Sequence, residues 1–129
     1  RPPPETRQHP MYARALFDII HTSGEAALRL LEALEGGADE LFDSTNTLAV
    51  VEESLLNVAH TLAHLPPVVM LRLSQTDWNG WAALHSALRH RIEPRRDIVW
   101  YAASALLPAT LVQLDRLRTQ EPEWFEIPY

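Results

Sequence analysis

The side chains of this sequence best able to do chemistry are six histidines and eleven arginines, with no lysine and no cysteine. Histidine moves protons near neutral pH, and the arginine fork suits phosphate. His60 and His64 stand four apart, on one face of any helix that carries them. His85 and His90 stand five apart, which is roughly 140° round a helix at 100° per residue. Arg89, Arg91, Arg95 and Arg96 crowd into eight positions around His90. That cluster reads as a phosphate-binding patch or as the ordinary basic end of a helix, where cations complement the macrodipole. In the second reading the arginines pair with Glu93 or Asp97. Arg14 and His21 share a helix face seven residues apart, and His9 lies near the start; a solvated polar stripe accounts for them.

A chain without cysteine has no thiolate nucleophile, no thiolate metal site and no disulfide. Two imidazoles at i and i+4 can ligate zinc or nickel, and helix bundles house such sites. No Asp or Glu occupies an obvious ligand position beside His60 and His64, so a histidine-lined metal bundle is a minor alternative. No cofactor is implied.

Amphipathic helices must position these groups. Tyr12, Leu16, Ile19, Ile20, Ala27, Leu30, Leu31 and Leu34 recur at three- and four-residue steps, which predicts one long helix stopped by Gly36-Gly37. Thr22-Ser23-Gly24-Glu25 has capping-box spacing, but the apolar stripe keeps phase across it. A short segment, 38–42, leads to the capping cluster Asp43-Ser44-Thr45-Asn46. Leu48, Val51, Leu55, Val58, Leu62 and Leu65 then form the cleanest stripe, closed by Pro66-Pro67. Residues 68–73 fit one or two turns. Ser74-Gln75-Thr76-Asp77 is a second capping cluster, opening a helix with Trp81, Leu84, Leu88 and Ile92 on its stripe. The last helix runs from Arg95 or Arg96 to Arg118, with Val99, Ala103, Leu106, Leu107, Leu111, Leu114 and Leu117 inward. Pro108 lies inside it and predicts a kink or a break, since an interior proline costs about 3 kcal/mol of helix stability. No strand-like alternation and no internal repeat competes. The fold class is all-α, an up-and-down bundle of four to five helices.

The chain has 129 residues and a formal charge of −6, which argues against a surface wrapped in nucleic acid while leaving room for a local basic patch. Its composition, 47% hydrophobic and 22% charged, suits a protein with a core. No uninterrupted apolar run approaches the ~20 residues that span a bilayer, so no membrane association is expected, and a cytoplasmic location is. Residues 1–10 hold four prolines and read as an extended, disordered leader. Residues 11–119 form the bundle, and 120–129 an aromatic, proline-containing tail.

From Trp78 onward the sequence resembles the HepT-like proteins, HEPN-type toxins of bacterial and archaeal toxin–antitoxin pairs. The resemblance rests on Trp78, His90, Asp97-Ile98-Val99-Trp100 and Pro108, and upstream on Glu40-Leu41-Phe42 and Leu65-Pro66. It spans about Met11 to Leu117. It implies a HEPN-like bundle that forms a two-fold dimer, cuts RNA without a metal, and is silenced by a nucleotidyltransferase antitoxin that modifies a motif tyrosine. The family motif is an arginine, then four to six residues, a histidine, and a tyrosine two positions on. His90 matches the histidine. His85 stands where the arginine belongs, Ile92 where the tyrosine belongs, and His60 at a position often held by glutamate. Carried over, His90 and His85 are the catalytic pair, and Arg89, Arg91, Arg95 and Arg96 bind RNA. The alternatives are a catalytically inactive homodimer that binds a nucleotidyltransferase, and the metal bundle.

Overall fold

The computed structural model describes residues 4–90 and 95–122, with side chains described from Arg14 onward, and these residues form an all-α helical bundle. Helices α1 (Pro4–Glu32), α3 (Thr45–Ala63) and α5 (Trp78–His90) are its long rods, together with a continuous rod over residues 95–120. Two short helices, α2 (Gly37–Asp43) and α4 (Pro67–Arg72), lie in the connections before and after α3. Helix α1 packs on α3, α3 on α5, α5 on the last rod, and that rod returns to α1. The four long elements therefore close a ring around one core.

Helix α1 is unbroken through Thr22–Glu25, as the phase of its stripe required. It also begins at Pro4, within the stretch expected to be an extended leader. Proline is well tolerated in a first helical turn, where its missing N–H would find no partner anyway. The buried face of α1 contains Leu16, Phe17, Ile20 and Ala27, whereas Ile19 is 46% exposed. Phe17 shifts the packed face, leaving Ile19 roughly 110° from its centre. Gly24 is buried on the same face, and a Cβ there would lie only 3.1 Å from Leu111. Its lack of a side chain lets the last rod cross close to α1.

The turn into α2 depends on Gly37, whose φ of 66° is a left-handed conformation that side chains disfavour. Glu40 reaches back across it, its Oε2 accepting the backbone N–H of Glu35 at 2.7 Å and of Gly36 at 2.6 Å. Val51, Leu55, Val58, Leu62 and Leu65 are all buried, and Leu48 packs on the edge of the core. Ser44 precedes α3 without lending its hydroxyl to a cap. Asp77 does cap α5: its Oδ1 accepts the Gly80 N–H at 2.9 Å.

The last rod consists of α6 (Arg95–Tyr101), a π-helical turn (Ala102–Leu106) and α7 (Leu107–Gln120). Pro108 has no N–H to donate and its ring crowds the carbonyl four residues back. The chain answers by winding wider just ahead of it, where the Leu107 N–H reaches the Ala102 carbonyl, five residues away. The proline thus produces a π turn within a continuous rod. Every inward residue expected on this rod is buried. By length and composition the rod could cross a membrane, with a mean hydropathy of 1.3 over its most apolar stretch. Its apolar side chains are nevertheless those that fill the bundle's core.

Asp77 also joins α5 to this rod, because its Oδ2 accepts the Tyr101 hydroxyl at 3.0 Å. That hydrogen bond first, then the carboxylate's charge, then burial, hold the Tyr101 phenol above its ordinary pKa. The fold favours the neutral phenol, so the contact's contribution is lost as pH rises through the raised value. Gly80 lies at this junction, where an added Cβ would meet Asp77 Oδ2 at 2.7 Å and Leu106 at 2.9 Å. Gly80→Ala should therefore destabilise the protein by about 1–3 kcal/mol in urea denaturation, although alanine is the better helix former. Equal or greater stability would show that the junction is loose.

Candidate functional site

Helix α5 carries His85, Arg89 and His90, and its two ends face different surroundings. Near its start, Trp81 is buried and its indole Nε1–H donates to the Thr110 hydroxyl at 2.9 Å, fixing the helix against the last rod. A groove of about 260 Å³ opens between α3 and α5, with Trp78, Trp81 and Leu62 among its lining residues. Small side chains make room for it: Ala59 and Ala63 on α3, Ala82 and Ser86 on α5. His85 lines this groove and is half-buried.

His90 sits on the last residue of α5 and is exposed, next to an exposed Arg89. The five-residue step turns it away from the groove that His85 lines, so the expected catalytic pair does not share a face. Proton transfer between one substrate and both imidazoles would require them to converge.

The arginines of the expected phosphate patch divide. Arg95 Nη2 meets Glu52 Oε2 on α3 at 2.6 Å, and both side chains are largely buried. Arg96 pairs with Asp39 of α2 and lies over the Phe42 ring, its Cζ 4.9 Å from the centroid. These two guanidinium groups pin the start of the last rod to α2 and α3. Their partners come from distant helices; Asp97, one of the expected neighbours, is exposed. Arg89 has no ion pair among the described residues. Arg91, Ile92 and Glu93 lie outside the described residues, as does the tail beyond Pro122.

At the end of α3, His60 and the C-capping His64 are exposed, with ring centroids 4.4 Å apart. His64 Nδ1 lies 2.8 Å from the His60 carbonyl oxygen, a contact that occupies that nitrogen within the helix. Among the described residues no group of three or more potential metal ligands gathers around them. Arg14 and His21 each face a carboxylate one turn on, Asp18 at 4.0 Å and Glu25 at 3.8 Å, so they belong to a solvated stripe on α1.

The groove was the feature least visible beforehand. The small residues Ala59, Ala63, Ala82 and Ser86 follow four-residue spacing on both helices, a signal that attention to apolar stripes passes over. Compared with protein-family models, with curated proteins and with solved structures, the chain matches none.

The Arg95–Glu52 pair is the contact most shielded from water in this region. Glu52→Gln should lower stability by about 1–3 kcal/mol, leaving a half-buried guanidinium without its counter-charge. Added salt should erode little of the wild-type contribution, because the pair is poorly screened. An unchanged melting temperature in the variant would contradict a pinning role.

Proposed function

We propose that this chain is a HepT-like bundle that works by binding, as a homodimer that docks a nucleotidyltransferase, and that it does not cut RNA at His90. The observation that carries this reading is the engagement of Arg95 by Glu52 and of Arg96 by Asp39. A ribonuclease of this type needs mobile or preorganised positive charge facing the scissile phosphate beside the acid–base histidine. Here two of the four candidate arginines serve the fold, and His85 lines a groove away from His90. The α3–α5 groove offers the complementary feature, a partly apolar recess with two tryptophans that a partner side chain can enter.

The ribonuclease reading retains one favourable observation: Arg89 and His90 are adjacent and exposed at the end of α5. Both readings meet in one set of experiments. Purified protein incubated with single-stranded RNA and a chelator should leave the RNA intact, as should His90→Ala. Chelator-resistant cleavage that disappears in His90→Ala would instead establish the nuclease. Light scattering at micromolar concentration should give twice the mass of the chain. A nucleotidyltransferase encoded in the adjacent gene should co-purify with the wild type and be lost from Ala82→Arg, which fills the groove. A monomer, or a partner indifferent to Ala82→Arg, would overturn the docking proposal.

A further inference from the structure

A second concave region lies past the opposite end of α5, where the connection from α4 meets α7. Trp81 on α5 bonds Thr110 on α7, while Arg95, close to His90 in sequence, is held by Glu52. The rod therefore runs back along α5, and its last turns lie beyond the capping residue Asp77, far from His90. Two cavities sit there. One, of about 240 Å³, is lined by Arg72, Ser74, Gln75, Gln113, Arg116 and Gln120, together with Leu117. The other, of about 210 Å³, is lined by Thr76, Asp77, Tyr101 and the faces of Ala105 and Ala109. Gln75 and Gln113 line both, so the two are neighbouring compartments of one cleft.

Its chemistry is graded. At one end Arg72 is held at its Nε by Glu121, 3.4 Å away, while Arg116 has no ion pair among the described residues. Among the described residues two arginines face one carboxylate here, beside neutral amide and hydroxyl groups. At the other end stand hydroxyl partners: the Asp77 carboxylate, the Tyr101 hydroxyl and Thr76. The Thr76 side chain is only 7% exposed and its Oγ1 has no hydrogen-bond partner. A buried hydroxyl without a partner is costly and uncommon in a native fold. Thr76 is itself one of the residues that line the smaller compartment. The π turn ahead of Pro108 contributes Ala105 and Leu106 to the same wall, and π turns recur at functional sites.

We propose that this cleft binds a small phosphorylated polyol, its phosphate between Arg72 and Arg116 and its hydroxyls toward Gln113, Asp77, Tyr101 and Thr76. Guanidinium forks recognise phosphate oxygens, and the Asp77 carboxylate and the phenol oxygen that donates to it can both accept from sugar hydroxyls. The bridging amides of Gln75 and Gln113 can serve either part. The site is independent of the partner-docking reading, since it shares no residue with the α3–α5 groove.

The test uses ribose 5-phosphate, inorganic phosphate and ribose as probes, read by amide chemical shifts of the full chain. Ribose 5-phosphate should perturb amides of residues 72–77 and 101–120, phosphate a subset near Arg72 and Arg116, and ribose alone neither. Arg116→Gln, at an exposed position that the core does not need, should weaken ribose 5-phosphate binding about tenfold. Thr76→Val should raise the melting temperature of the free protein while weakening ribose 5-phosphate more than phosphate. A purely structural Thr76 would leave that ratio unchanged, which would remove it from the site. No perturbation of these amides by millimolar ribose 5-phosphate or phosphate would overturn the proposal. Perturbation unaltered in Arg116→Gln would do the same.

Discussion

Two carboxylates on early helices, Glu52 and Asp39, hold the guanidinium groups that open the last rod, and much of the arrangement follows from that restraint. A guanidinium stays charged at any pH the protein meets, so when partly buried it needs an anion close by. Glu52 supplies one to the partly buried Arg95, while Asp39 and the Phe42 ring face meet Arg96 at the exposed surface. The pairs tie the start of the rod to α2 and α3. Once its start is set, the stripe from Val99 to Leu117 falls into the core against α1 and α5. The same pairs give Arg95 and Arg96 carboxylate partners. One electrostatic restraint thereby shapes both the architecture and the chemistry open to the protein.

The other end of α5 is held by different means. Asp77 spans the helix cap and the Tyr101 hydroxyl, and Trp81 bonds Thr110. These contacts bracket the wide π turn that Pro108 imposes, and Gly80 leaves space for Leu106 to approach. The tie at Asp77 also gives shape to the polar cleft, because the same carboxylate and phenol form part of its wall.

Helical periodicity carried most of the fold. Stripes at three- and four-residue steps located the long rods, and the α3 stripe and the residues from Val99 to Leu117 are buried as their spacing required. The misjudged details arise where a local rule met a tertiary one. Ile19 is exposed because Phe17 turns the packed face of α1, and Pro4 opens a helix that tolerates proline in its first turn. Pro108 announced a disturbance, but whether it would break, bend or widen the helix depended on neighbours at Gly80 and Asp77. The candidate site was far less legible. A cluster of arginines in sequence says nothing of which carboxylates will reach it, and Glu52 and Asp39 lie more than forty positions away. Nor does the spacing of His85 and His90 reveal that one lines a groove between helices.

Arg95 and Arg96 are engaged by carboxylates, and on the proposed reading they add little to RNA binding. Fluorescence anisotropy of a labelled single-stranded RNA, followed as salt is raised, measures this directly, since each phosphate neutralised adds about 0.7 to the slope of log affinity against log salt. The expected result is weak binding with a shallow slope for the wild type, and tighter binding with a steeper slope when Glu52→Gln and Asp39→Asn release the two arginines. Tight, steeply salt-dependent binding by the wild type, unchanged in that double variant, would contradict it.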